Sequence, residues 1–196
     1  MRMKSGAAAC AAAMAAMPGA ALAHTGAGEA HGFLHGFAHP AGGLDHVLAM
    51  VAAGVLAACL GGRARWLVPA VFVLMMVAGA AWALAGFELS FVEAGIALSV
   101  VASGLALAIR PNVPAGIAAA LAGIFAVFHG YAHGAEIPAD VSGFAYGAGF
   151  VLATALLHLT GIALWLGAGQ AADGAVIRLG GAAIAVAGAA IFGGYL

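Results

Sequence analysis

Residues 39–50 read HPAGGLDHVLAM, and this stretch decides how the rest of the chain is interpreted. It places two imidazoles, a carboxylate and a thioether at the head of a long apolar segment. Because such polar groups are costly to carry into hydrocarbon, a membrane helix that contains them is expected to use them in a functional site. On a straight helix, at about 100° per residue, His39, His46 and Met50 share one face, and Asp45 lies on its flank. The stretch therefore predicts a ligand-binding face at the start of a membrane span.

The composition of the chain indicates the solvent in which it folds. Of its 196 residues, 65% are hydrophobic and only 7% are charged, whereas a water-soluble domain carries about 25% charged residues. The chain is therefore predicted to be an all-α integral membrane protein. Its net charge of −1 offers no basic surface for nucleic acid. The sequence has no Walker-type glycine loop, no GxGxxG before a helix and no CxxC, so nothing indicates an ATP-driven pump or a nicotinamide enzyme.

Residues 1–23 have the pattern of a cleavable secretory signal peptide. Arg2 and Lys4 form a short basic region, an Ala/Met run follows, and residues 21–23 (ALA) fit the small-x-small cleavage pattern. The alternative is an uncleaved first span. Cleavage after residue 23 would make His24 the first residue of the mature chain, where its amine and imidazole either form a chelate or are incidental.

Residues 24–39 then form a histidine-containing periplasmic N-terminal segment. His31, His35 and His39 recur in it at four-residue intervals. On a helix these three side chains would line one side. In a mobile segment they would form a loose cation-collecting arm, and a solvated linker without a metal role is an equal alternative.

Residues 40–196 are predicted to form a six-span transmembrane domain, because their apolar runs are long enough to cross a hydrocarbon core of about 30 Å. Pro40 suits the first position of the first helix. The joins between spans are short, so most sequence neighbours are expected to pack as antiparallel hairpins. The predicted architecture is thus a six-helix transmembrane bundle behind a cleavable N-terminal signal peptide. Its spans are 40–60, 66–86, 89–109, 114–134, 143–167 and 175–195.

The arginines of the joins predict the orientation in the membrane. Arg63 and Arg65 lie in the first join, Arg110 in the third, and Arg178 beside the fifth. The positive-inside rule places these joins in the cytoplasm. The mature N-terminus and the C-terminus then lie in the periplasm, in agreement with a signal peptide. The expected location is the bacterial inner membrane, with a multi-pass topology.

A second polar group lies at residues 128–136, FHGYAHGAE. His129, His133 and Glu136 stand at i, i+4 and i+7, so one helical stripe carries all three. The predicted topology brings this outer end of the fourth span to the level at which the first span starts. Glu93, in the first turns of the third span, belongs to the same level. The candidate metal ligands are therefore His39, Asp45, His46, Glu93, His129, His133 and Glu136.

The residue types in this candidate group favour a divalent transition metal. Imidazole with carboxylate suits Ni²⁺, Zn²⁺, Co²⁺ or Fe²⁺ better than Mg²⁺, which prefers oxygen ligands alone. Carboxylates crowded in a medium of low dielectric constant repel one another unless they are protonated or bound to a cation. The alternative is a set of satisfied polar groups that ties the helices together. His158 stands apart in the inner half of the fifth span, as an exit-side ligand or as a histidine hydrogen-bonded to neighbouring backbone.

The two motifs resemble those of the HupE/UreJ family. The resemblance rests on the pattern HPxxGxDHxxxM at residues 39–50, on the later run HGxxHGxE at residues 129–136, and on six spans behind a signal peptide. It implies a secondary permease for nickel, in some members cobalt, that supplies hydrogenase or urease maturation. Phe72 also matches a family position, although the residues alone indicate a packing aromatic. The family's important positions correspond here to His39, Asp45, His46, Glu93, His133 and Glu136.

The resemblance also implies partners and leaves rival functions to be weighed. The partners are the divalent metal ion as cargo, the lipid bilayer and cytoplasmic nickel metallochaperones. No permanent cofactor and no enzymatic activity are expected. The first rival is a membrane-embedded zinc hydrolase that keeps its metal permanently. The second is a haem-binding electron carrier, in which His129 or His133 pairs with His46.

Overall fold

The computed structural model describes residues 29–110, 112–137, 142–169 and 174–196, and all regular structure in those ranges is helical. The predicted signal peptide and His24 lie outside the described residues, as does the side chain of His31. The helices are α1 (Glu29–Ala38), α2 (Leu44–Leu60), α3 (Ala64–Leu84), α4 (Val92–Ile109), α5 (Ala115–Ala135), α6 (Gly143–Leu164) and α7 (Gly174–Phe192), with a 3-10 turn at His39–Gly42 and a π turn at Trp165–Gly169.

Five of these helices, α3 to α7, are long and apolar enough to cross a membrane, and the number rises to six if the bent pair formed by α1 and α2 counts as one span. The predicted spans agree with these helices to within a few residues at each end. All-helical architecture with long apolar spans is therefore confirmed. We call the end of the bundle where α2 begins and α5 ends the site end. The opposite end, where Arg63 and Arg110 lie, is the arginine end.

The first predicted span is not one straight helix. Residues 32–42 and Leu44–Leu60 meet at an angle of 83°, and Gly43 between them is extended, with φ −109° and ψ 123°. Proline lacks a backbone N–H and glycine disfavours helix, so Pro40 and the Gly42-Gly43 pair break the run. The prediction that His39, His46 and Met50 share one helical face is wrong, because α2 starts five residues after His39.

The helix before this bend is docked on the bundle rather than solvated. α1 packs along α6 in the same direction. A methyl group added at Gly36 would collide with the Tyr146 carbonyl, and one added at Gly149 would collide with the Phe33 carbonyl. The helical alternative for residues 24–39 thus holds from Glu29 onward, although the His35 side chain is exposed.

The closest helix pairs are not neighbours in sequence. The most extensive contacts join α3 with α5, α4 with α7, and α6 with both α1 and α2, whereas within the described residues α5–α6 and α6–α7 make no comparable contact. The expectation that most neighbours form hairpins is therefore wrong. Small residues explain the pairing, because lipid offers no hydrophobic drive and helices associate where their backbones can approach. The glycines at these close approaches are Gly54 and Gly161 between α2 and α6, Gly79 and Gly130 between α3 and α5, and Gly104 and Gly181 between α4 and α7.

Candidate metal site

Three potential ligands converge at the site end. His39 comes from the 3-10 turn, His133 from the last turn of α5, and Glu136 caps the same helix. Nε2 of His39 lies 3.2 Å from Oε2 of Glu136, and Nδ1 of His133 lies 3.6 Å from the same oxygen. One ligand atom from each of the three residues lies within 4.8 Å of the other two. Elements 97 residues apart in sequence therefore form a compact group with two imidazoles and one carboxylate.

Asp45 holds the ring of His46 in one orientation. Nδ1–H of His46 donates to Oδ1 of Asp45 over 2.7 Å, and the backbone N–H of His46 donates to the same oxygen over 2.8 Å. Gly43 makes room for this arrangement, since a Cβ there would lie 2.6 Å from the Asp45 oxygen. With Nδ1 protonated, Nε2 of His46 carries a free lone pair. That atom is buried and has no hydrogen-bond partner among the described residues.

A serine fixes the ring of His129 in a similar way. The Ser99 hydroxyl donates to the Ile96 carbonyl over 2.6 Å, so its oxygen is left to accept from Nε2–H of His129, 2.8 Å away. This network assigns the proton of His129 to Nε2 and the lone pair to Nδ1. Nδ1 is buried and unpartnered within the described part of the chain. The hydrogen bond also places Ser99, which follows Glu93 by six residues on α4, beside α5.

Four imidazoles form a continuous series from the site end inward. Ring centroids are 4.7 Å apart for His39 and His133, 4.3 Å for His133 and His46, and 4.8 Å for His46 and His129. We call these four residues the imidazole column. Buried nitrogens without a hydrogen bond cost free energy. The column holds several of them, at His46, His129 and His133, and a bound cation would satisfy them.

Glu93 is the predicted ligand that the structure does not bring into contact with this column. Its side chain is exposed in the first turn of α4, and no hydrogen bond or ion pair to it is found among the described residues. Its depth nevertheless matches the site. Ser99 contacts His129, and six residues at 1.5 Å each place Glu93 about 9 Å further toward the site end. Glu93 therefore lies at the level of Glu136 but apart from it.

Sequence reasoning missed several aromatic contacts around the column. Tyr146 is buried in α6, and its ring centroid lies 5.7 Å from those of both His35 and His39. Phe150, one turn further along, lies 4.2 Å from the ring of His133. Because helix pairing determines these contacts, the spacing of residues in α6 could not reveal them.

Phe72 and His158 extend the site toward the middle of the bundle. The centroid of the Phe72 ring lies 5.8 Å from that of His129 and 4.8 Å from that of His158. Both ring nitrogens of His158 are buried and lack a hydrogen-bond partner in the described ranges. The interpretation of His158 as a histidine bonded to neighbouring backbone is therefore wrong. Phe72 does pack in the core, as the residues indicated, but its ring also neighbours two imidazoles.

The fold and the site together define a class of protein: a helical bundle with five or six apolar spans that carries imidazoles and carboxylates at one end. The family model described as HupE / UreJ protein matches residues 12–191. Protein HupE of Rhizobium leguminosarum bv. viciae is 43% identical over 180 residues, covering 91% of this chain and 93% of that protein. The chain belongs to the HupE/UreJ family, which confirms the resemblance based on the two motifs. No solved structure gives a significant match.

Proposed function

We propose that this protein is a secondary transporter that takes up a divalent transition metal, nickel or in second place cobalt, across the bacterial inner membrane for metalloenzyme maturation. The observation that carries the proposal is the convergence of His39, His133 and Glu136, whose ligand atoms lie within 4.8 Å of one another. Family membership supports it, since the HupE/UreJ resemblance implies a nickel or cobalt permease that serves hydrogenase or urease. The ion is cargo in this proposal, and no resident cofactor takes part.

The ligands have different tasks in this proposal. His39, His133 and Glu136 bind the incoming ion, and Glu93 at the same level attracts it to the rim. The ion then meets the lone pairs that Asp45 and Ser99 direct on His46 and His129. Imidazole and carboxylate together discriminate against Mg²⁺, which binds best to oxygen ligands.

The exposure of the outer ligands favours transport over permanent metal retention. The side chain of Glu136 is 58% exposed and that of His39 is 29% exposed, so water can replace either ligand. A conducting site must bind weakly enough to release its ion. A zinc hydrolase would instead keep a tightly held, stoichiometric metal, and a haem carrier would show a Soret band after purification. A weakly bound, exchangeable metal supports the permease.

The driving force in this proposal is electrical and chemical. With the site end facing the periplasm and the arginine end facing the cytoplasm, a divalent ion moving inward gains about 4.6 kcal/mol per 100 mV of negative-inside potential. Capture by cytoplasmic metallochaperones keeps the concentration of free ion low on that side. The same orientation places the segment after the predicted signal peptide in the periplasm.

Uptake into proteoliposomes tests the proposal. Purified protein is reconstituted with a trapped nickel-sensitive chelator dye, and a negative-inside potential is imposed. His133→Ala should reduce the initial rate at least tenfold, because it removes a ligand at the centre of the outer group. His35→Ala is the matched control, since it removes an exposed imidazole one turn before His39. Equal uptake by vesicles that carry the unchanged protein and by vesicles that carry His133→Ala would refute the assigned site.

A further inference from the structure

His158 lies deep in the bundle without any of the partners that a structural histidine normally has. It is 1% exposed, and neither ring nitrogen has a hydrogen-bond partner in the part of the chain that is described. It stands 15 residues after Gly143, the first residue of α6, which is about 22 Å along the helix. Most buried polar side chains in proteins are hydrogen-bonded, so an unpartnered one needs a functional explanation.

The neighbours of His158 supply soft ligand atoms. Thr154, one turn before it on α6, donates its hydroxyl to the sulfur of Met76 over 3.6 Å. Met76 and Phe72 are themselves one turn apart on α3, so the face that contacts Thr154 is the face that carries Phe72 against His158. Met50 of α2 belongs to the same buried cluster as these two α3 residues. The Met76 thioether therefore lies on the face of α3 that packs against His158.

The backbone also approaches His158 closely on one side. A methyl group added at Gly54 of α2 would collide with the His158 carbonyl, and one at Gly161 would collide with the Val51 carbonyl. These two glycines hold α2 directly against the turn that carries His158. His158 thus lies where α2, α3 and α6 meet, and its ring is 4.8 Å from that of Phe72, which also neighbours His129 at 5.8 Å.

We propose that His158 is a second binding position for the transported ion, with the Met76 thioether as its soft partner and the Phe72 ring as its contact toward the imidazole column. Imidazole with thioether suits borderline and soft metals and excludes Mg²⁺ and Ca²⁺, which need oxygen ligands. The position lies beyond the middle of α6, so it receives an ion that has left the imidazole column. This inference rests on the proposed transport function for its purpose, but the binding position itself can be tested separately.

Two measurements on purified protein test the inference. The first counts Ni²⁺ bound at saturation in detergent, together with the affinity of the outer site. His158→Leu should bind one ion fewer than the unchanged protein, while the affinity of the outer site stays within twofold. The second measures initial uptake into proteoliposomes, which should fall at least tenfold for His158→Leu. His158→Met, which restores a metal ligand, should recover part of both quantities.

Each outcome decides the inference. An unchanged Ni²⁺ count in His158→Leu overturns it, whatever happens to uptake, and so does uptake within twofold of the unchanged protein. If protein without any substitution gives no uptake, the transport function fails and the Ni²⁺ count alone decides whether the second position exists. If His158 had a purely structural role, its replacement by leucine would lower the thermal stability of the protein. Replacement of the unpartnered His158 should not do so, and if His158→Leu does unfold, the Ni²⁺ count on His158→Phe, which also lacks a metal ligand and should bind one ion fewer, decides instead.

Discussion

Replacing Asp45 by Asn should weaken metal binding at the site without unfolding the protein. In the structure, Oδ1 of Asp45 accepts both from Nδ1–H and from the backbone N–H of His46, at 2.7 and 2.8 Å. This pair of bonds fixes the proton on Nδ1 and leaves the lone pair on the buried Nε2. An asparagine can turn its amide N–H₂ toward Nδ1, which moves the ring proton to Nε2 and removes the ligand.

The expected size of this effect follows from the type of contact. Loss of a carboxylate that orients a metal-binding histidine costs about 10- to 100-fold in metal affinity, equivalent to about 1.4–2.8 kcal/mol. That range agrees with a hydrogen bond to a charged group, which contributes about 1.5–3 kcal/mol. The Ni²⁺ concentration that gives half-maximal uptake should therefore rise by this factor.

The assay combines a Ni²⁺ titration of purified protein with the concentration dependence of uptake into proteoliposomes. Asp45→Glu is the matched variant, because it keeps the charge but lengthens the side chain. The unfolding temperature of each variant checks that the bundle is intact. An affinity of Asp45→Asn within twofold of the unchanged protein, in a folded sample, would refute the role assigned to Asp45.

Three further perturbations have expected outcomes. Ser99→Ala removes the neutral hydrogen bond to His129, worth about 1 kcal/mol, so Ni²⁺ affinity should fall about fivefold in the same titration, and an unchanged affinity would contradict the tautomer assigned here. Gly130→Ala drives a methyl group into the Met76 carbonyl between α3 and α5 and should cost about 1–3 kcal/mol, seen as a lower unfolding temperature. Gly147→Ala is its control, because a Cβ there meets nothing within 4 Å, and equal unfolding temperatures would argue against the packing explanation. Uptake should fall at low external pH, because protonated imidazole has no lone pair; desolvation holds the pKa of His39 below its ordinary value of 6.5, so the fall should come below that pH, and uptake that rises as the pH is lowered would contradict histidine ligation.

The two motifs made the level of the site predictable, because alternation of spans brings the start of the first and the end of the fourth to one end of the bundle. Helical spacing also predicted that His133 and Glu136 lie side by side, and at the end of α5 their side chains are 3.6 Å apart. Whether these residues bind metal remains a prediction. Composition alone was sufficient to predict an all-helical bundle, since so few charged residues are compatible only with an apolar solvent.

The bend and the helix pairing could not be derived from spacing. The Gly42-Gly43 pair was visible, but only the docking of α1 on α6 shows that the chain uses it to turn by 83°. Pairing of α3 with α5 depends on which glycines face each other. Among the described glycines, many have no neighbouring atom within 4 Å of an added Cβ. Gly143 and Gly147 stand four residues apart, a spacing typical of a packing surface, yet neither has an atom within 4 Å of its Cβ position. Gly181 and Gly188, seven residues apart, do both pack against α4.

The spacing of the imidazole column has a consequence for the energetics of crossing. Successive ring centroids are 4.3–4.8 Å apart, so in the proposed transport a cation would bind a nitrogen of the next ring before it leaves the previous one. Ligand replacement then proceeds one bond at a time, much as water molecules exchange around an ion in solution. Under this proposal, a divalent ion without any ligand in the apolar core, whose high free energy would prevent transport, is not required along the imidazole column.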